Sequence, residues 1–315
     1  MVKTLTLGTA LAKPGTIQYG RWETLTHPTG HVEFLPVVIA QGAEDGPCLW
    51  LTAGIHGAEQ AGPAVLYRLI TQDLVEQMRG TIVAIPALNP AGLRTMKRQP
   101  YHAPTDPNRL WPDGKPESTP DPDKAPPSSL EKAYGRLFAS MAASADYLID
   151  YHNSSTNSIS FAIRDRVLYG TDGDQVAQKR EATDLAEKLD QMLRAYGHTT
   201  VNEFPVEKYI EGKLHRSTSA AALLLAKVPA FTVELGTGHL PDPAIVAASV
   251  VGTQNVMRWA GMLEGDREPI EGITVMEAEF PVLRRRTPRV DEALSLIHIS
   301  EPTRLKTRSR MPSSA

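Results

Sequence analysis

Cysteine is almost missing from this chain: Cys48 is the single one in 315 residues, which excludes an intrachain disulfide and a cysteine-ligated zinc site. It abuts an apolar stretch and reads as a buried structural thiol. Long apolar runs are missing as well. The longest covers residues 220–226, far short of the roughly 20 residues that span a bilayer. No excess of one charge is present either, and a net charge of -3 gives no electrostatic ground for a nucleic-acid partner. The opening Met1-Val2-Lys3-Thr4-Leu5-Thr6 has no apolar secretory core and no small-residue cleavage site, so a cytoplasmic protein without a membrane partner is expected. No internal repeat is visible. What is present, 41% hydrophobic and 22% charged residues, fits a soluble globular protein with one large core, or one large and one small domain. Any metal must be held by histidine and carboxylate.

The last stretch looks foreign. Residues 294–304 back-translate into a sequence that resembles a transposase adapter of DNA library preparation, and residues 309–315 into the flow-cell end of the same design. Residues 294–315 are therefore excluded from the expected fold, and the natural chain is expected to run on past Ala293.

Residues 3–8, 17–25 and 31–40 alternate apolar and polar side chains, the pattern of short antiparallel strands. A turn over 42–47 leads into the apolar run Leu49-Trp50-Leu51-Thr52-Ala53, and Gly54 and Gly57 turn the chain sharply out of it. Ala64, Leu66, Leu69, Ile70 and Val75 then recur at helical spacing, closed by Gly80. Residues 81–88 read as a buried strand ending in the turn signal Asn89-Pro90-Ala91-Gly92. Residues 94–123 have no period, and so long an irregular loop is either functional or mobile. Helices are expected over 130–145, 175–196, 217–227 and about 243–263, with strands over 147–152 and 230–236. The alternation predicts a three-layer α/β/α domain over residues 1–268, with the start of a truncated β-rich segment over 269–293.

Three of the expected strand ends deliver His56, His152 and Glu234. In open α/β sheets that edge is where ligands bind. His56 and Glu59 on the turn, with His152, make two imidazoles and a carboxylate with an open fourth position, the donor set of hydrolytic zinc. Zinc so held lowers the pKa of its water to about 7 and polarises a carbonyl. A further group must take the proton of that water and pass it to a leaving amine, and Glu234 is the candidate. One cation is needed for the developing oxyanion. Another, best an arginine fork, should grip an anionic substrate.

Five separated motifs then carry a resemblance: His56-Gly57-Ala58-Glu59, Asn89-Pro90-Ala91-Gly92, Asp106-Pro107-Asn108-Arg109, Asp150-Tyr151-His152 and Phe231-Thr232-Val233-Glu234-Leu235-Gly236. In this order they resemble the zinc carboxypeptidase clan, in its succinylglutamate desuccinylase and aspartoacylase branch, over about residues 35–260. The resemblance implies the mixed sheet of the carboxypeptidase type, one zinc ion on His56, Glu59 and His152, Glu234 as general base, and Asn108 with Arg109 on the substrate carboxylate. The branch's oxyanion-assisting arginine falls on Arg98, with Arg94 as the rival. Pro107 departs from the leucine usual in the branch.

The remaining polar residues have plainer readings. Asp150 is a candidate to orient the His152 ring. Tyr209 reads as packing, and His215 and Arg216 as a helix start that could face the pocket. His102 reads as a loop residue more than a substrate contact, and His27, His31, His198 and His239 as ordinary histidines. The expected function is zinc-dependent hydrolysis of the amide bond of an N-acyl amino acid. The alternatives are a metallocarboxypeptidase acting on peptide C-termini and a metal-bound protein without catalysis, against which Glu234 speaks.

Overall fold

The computed structural model of the chain describes residues 5–114, 126–154, 158–169, 173–236 and 238–277, with the backbone of 280–281. The expected adapter-derived stretch 294–315 and most of the segment 269–293 beyond residue 277 lie outside the described residues. A short antiparallel ribbon of β1 (Thr6–Leu7) and β2 (Ala10–Leu11) precedes a long hairpin of β3 (Thr16–Thr26) and β4 (Val32–Gln41). The strands expected over 17–25 and 31–40 pair as one long antiparallel hairpin that takes in Gly20 and Pro36, with a register shift between Glu23 and Leu25.

The apolar run becomes β5 (Glu44–Ala53), followed by α1 (Ala61–Leu69), α2 (Gln72–Gln77), β6 (Arg79–Ile85) and α3 (Pro90–Thr95). One expected helix is here two, since the Thr71 side chain accepts from the Leu74 N–H at 3.2 Å and caps a new start. The expected turn at Asn89 is likewise a helix start. Asn89 accepts from the Gly92 N–H at 2.8 Å and Pro90 follows it, where a missing N–H costs nothing. Then come α4 (Ser129–Ala142), β7 (Tyr147–His152), β8 (Phe161–Arg164), α5 (Gln175–Tyr196), β9 (Thr199–Asn202), α6 (Val206–Glu211), α7 (Thr218–Leu225), β10 (Ala230–Glu234), α8 (Pro243–Trp259) and β11 (Phe280–Pro281). Of the segment expected to open a β-rich part, residues 269–277 hold no strand and 280–281 form β11.

Among the described residues, nine strands form one mixed sheet in the order β11-β9-β8-β10-β7-β5-β6-β4-β3. At its centre β10, β7, β5 and β6 are parallel, and β8 and β4 join antiparallel at either side. Central strands buried on both faces need continuous apolar runs, and Leu49, Trp50, Leu51, Ile82, Val83 and Ile149 are almost wholly buried. Side-chain alternation assigns the helices to the two faces. Tyr151 of β7 bonds Thr253 of α8, and Phe231 of β10 packs on Tyr196 of α5, so α8 and α5 cover one face, with α1 against α8. Thr232 of β10 bonds Ser219 of α7, which with α4 covers the other. The α/β/α layering expected from the sequence is the architecture found. No helix among the described residues is long and apolar enough to cross a membrane.

Candidate active site

β5, β7 and β10 are adjacent and parallel, so their carboxyl ends share one edge, with Ala53 beside Tyr151 and His152 beside Glu234. Alternation puts Thr232, Glu234, Asp150 and His152 on the α7 face. Beyond β5 the chain turns at Gly54, whose φ of +64° favours glycine. Gly57 is required for another reason: a Cβ there would lie 1.9 Å from the carbonyl carbon of Gly92 in α3. The Asn89 amide pins this turn by donating to Ile55 O at 3.1 Å and Arg98 O at 3.2 Å. His56 and Glu59, on a turn closed by Glu59 N–H to His56 O at 3.0 Å, therefore aim at the same point as His152.

The donor geometry is specific. His152 Nε2 lies 2.9 Å from Asp150 Oδ2, and Asp150 is itself held by the Thr52 hydroxyl at 2.6 Å. His56 Nε2 lies 3.0 Å from Asp106 Oδ1. With a cation between the rings, a carboxylate on each Nε2 would keep the imidazole proton there and leave each Nδ1 free to act as a ligand. Those two Nδ1 atoms lie 3.2 Å apart, with Glu59 Oε1 2.8 Å from His56 and Oε2 2.9 Å from His152. Two buried imidazoles and a buried carboxylate converging in this way are the donor set of a divalent cation. Ligand atoms at about 2.0–2.2 Å from a tetrahedral zinc lie about 3.3–3.6 Å apart, so a small outward movement of this set admits one ion. His56, Glu59 and His152, whose donor atoms all lie within 4.8 Å of one another, fit a divalent metal.

The same groups compensate one another's charge. Burial opposes the charge of Glu59, yet the neighbouring His56 and His152 hold its carboxyl well below the usual range. Burial likewise opposes a charged His152, and Asp150 and Glu59 hold it well above the ordinary histidine value. Asp106 is lowered, against its burial, by the hydrogen bond and charge of His56 and by Arg98. Glu234 goes the other way: burial pushes its carboxyl up to about 7 although the charge of His152 pulls it back. Its Oε2 is buried without a hydrogen-bond partner among the described residues.

Arg98 lies at this set and Arg94 does not. Arg98 grips Asp106 Oδ2 with Nη2 at 2.8 Å and Nε at 3.2 Å, and its Nη1 is 3.7 Å from Glu59. Arg94 pairs with Glu33 at 3.1 Å. Asn108 and Arg109 sit in a 3-10 turn, Pro107–Arg109, capped by Asp106. The Asn108 amide nitrogen is 3.4 Å from His152 Nε2, and its oxygen accepts from the N–H and hydroxyl of Thr218 at 2.9 and 3.1 Å. Arg109 donates to Gly212 O at 2.9 Å and Asn108 O at 2.7 Å, and burial lowers its pKa. Tyr209 is fully buried, and Arg216 bonds Trp111 O at 2.8 Å.

Three carboxyl groups go beyond the roles read from the sequence. Asp106, seen there only as part of a motif, orients the His56 ring. Asp165 and Glu203 are buried near Arg109, at the ends of β8 and β9, the two strands that sequence reasoning did not find. Asp165 accepts from the Ser219 hydroxyl at 3.1 Å, which also bonds Thr232, two residues before Glu234. Burial and the nearby Asp165 push Glu203 up to about 7.

Comparison with known proteins matches residues 45–260 to the succinylglutamate desuccinylase/aspartoacylase catalytic domain. An N-alpha-acetyl-L-2,4-diaminobutyric acid deacetylase of Halomonas elongata is 24% identical over 238 residues, 74% of this chain and 60% of that protein. The chain thus spans about 60% of the length of that relative. A succinylglutamate desuccinylase/aspartoacylase from Rhodobacter sphaeroides is similar in fold, with a TM-score of 0.64 at 19% identity over 85% of this chain and 73% of that one. A product-bound ectoine utilization protein from Ruegeria pomeroyi gives a TM-score of 0.61 at 18% identity over 84% and 71%.

Proposed function

This chain belongs to the succinylglutamate desuccinylase/aspartoacylase family, and from that premise and the strand-end geometry we propose that it is a zinc-dependent hydrolase of the amide bond in N-acyl amino acids. The observation that carries the reading is Glu234, a buried carboxyl raised to about 7 beside a converging pair of imidazoles and Glu59. A protein that only binds metal has no use for such a group. Zinc held by His56, Glu59 and His152 would supply Lewis acidity to the amide carbonyl and to the attacking water.

The chain's own residues do the rest. Glu234 takes the proton of the water and returns it to the leaving amine, and a pKa near the working pH suits both transfers. Arg98, about half exposed and near Glu59, offers N–H donors to the oxyanion. Asp150 and Asp106 keep the proton of each ring on Nε2. Arg109 holds the substrate carboxylate, with Asn108 beside it. The buried Asp165 and Glu203 near Arg109 favour an amino acid whose side chain carries a cation, as diaminobutyric acid does in the name of the Halomonas relative. On this reading residues 1–268 are the hydrolase domain and 269–293 open a further segment.

The test is kcat/KM over N-acetyl amino acids with cationic, neutral and anionic side chains, each against its C-terminal amide and against longer peptides. Free acids should be preferred, and Arg109→Lys should raise KM sharply for them, since a point charge cannot form two parallel hydrogen bonds. Equal rates on acid and amide would remove the carboxylate clamp. Preference for peptides would move the assignment to a carboxypeptidase.

A further inference from the structure

A second group of donor side chains lies apart from the site above and shares no residue with it. His27 follows β3, Glu33 is in β4, and His102 stands in the loop after α3; together they bring donor atoms within 4.8 Å of one another. Glu33 is buried, and His27 Nε2 is 3.8 Å from its Oε1. The two rings meet edge to face at 5.2 Å between centroids. His27 Nε2 and both ring nitrogens of His102 are buried atoms with no hydrogen-bond partner among the described residues. Buried imidazole nitrogens left unpaired are costly, so their concentration on one buried carboxylate is an arrangement that a bound ligand would complete.

A cation already visits this carboxylate. Arg94 Nη2 lies 3.1 Å from Glu33 Oε1, but that arginine is 58% exposed and can withdraw to solvent. We propose that His27, Glu33 and His102 form a second divalent-cation site, of the zinc class, with Arg94 as the competing cation. Two imidazoles and a carboxylate are donors of borderline hardness, which suit zinc better than calcium or magnesium. Ligands of a tetrahedral zinc stand about 3.3–3.6 Å apart, so side-chain movements of about an ångström close the set. The remaining position falls to water or to His31, whose ring centroid is 5.7 Å from that of His27.

The site's work is structural. His102 is four residues beyond Arg98 and four before Asp106 on one loop, and both of these hold the catalytic edge. An ion on His102 staples that loop to the β3–β4 hairpin and so fixes the carboxylate that orients His56.

Zinc content of the full chain decides the matter. The protein is stripped with a strong chelator, equilibrated with zinc in a buffer holding a competing chelator of micromolar affinity, and assayed by elemental analysis. The wild type should retain two ions per chain, His102→Gln and His27→Gln one, and His56→Gln one, with circular dichroism unchanged in each. Arg94→Ala, a variant that removes no ligand, should tighten the second equivalent because its competitor is gone. A single wild-type ion that is lost in His56→Gln and kept in His102→Gln, a second ion that survives both histidine changes, or no tightening in Arg94→Ala would each overturn the site.

Discussion

Burial raises the Glu234 carboxyl although the neighbouring cations would lower it. It must be deprotonated to accept a proton, so turnover should fall about tenfold per pH unit below a limb set by its pKa. That limb should lie at or below about 7, because a cation on His56, Glu59 and His152 pulls it down. Glu234→Gln should keep its metal, lose on the order of a hundredfold or more in kcat, and show no such limb in its residual rate. Elemental analysis alongside the pH profile separates the two roles, since loss of metal would make Glu234 a ligand. At this scale much was legible. His56, Glu59, His152 and Glu234 follow glycines or end apolar runs, and strand periodicity carries such residues to one edge. The company they keep was not legible: Asp106 reaches the His56 ring across fifty residues of chain, and no local pattern reports such a contact. Arg98 and Arg94 could be told apart only by their partners, Asp106 and Glu33.

Among the elements, the turn from β5 to α1 depends most on a single position. Gly57→Ala would put a methyl group 1.9 Å from a backbone atom of α3, so one of the two must move. Overpacking of this kind costs about 1–3 kcal/mol, and the displaced turn should also weaken zinc binding. Thermal denaturation and a zinc titration check both; a variant as stable and as tight as wild type would mean that α3 yields freely. The junction of α5 and β9 holds a pH dependence. Burial lowers His198 from 6.5 to about 4, with its Nδ1 3.0 Å from the Ser160 hydroxyl. Between those values the unfolded chain binds a proton that the folded chain refuses. Stability present above pH 6.5 is therefore lost as pH falls toward 4, by about 3 kcal/mol. Urea midpoints across that window should fall less steeply in His198→Gln. The strands leading to this corner were not read from the sequence, because four-residue strands such as Thr199–Asn202 carry too few alternations to stand out. Long elements fared better: α5 has the bounds its amphipathic pattern predicts, with Asp174 capping its start and Gly197 its end.

For the whole molecule, the order of strands and helices was enough to give a three-layer domain, since only parallel pairing brings apolar runs of this length together between two helix layers. The sheet order was not legible, because β8 enters antiparallel to β10, and its four residues carry no pattern that reports its neighbours. On the reading proposed above, His56, Glu59 and His152 hold one metal through particular atoms. A crystal of the zinc-loaded protein, measured on either side of the zinc absorption edge, tests it directly. An anomalous peak is expected about 2.0–2.2 Å from His56 Nδ1, His152 Nδ1 and a Glu59 oxygen, with Asp106 and Asp150 still on the Nε2 atoms. A peak on either Nε2, or none among these three residues in a protein that retains zinc, would contradict it.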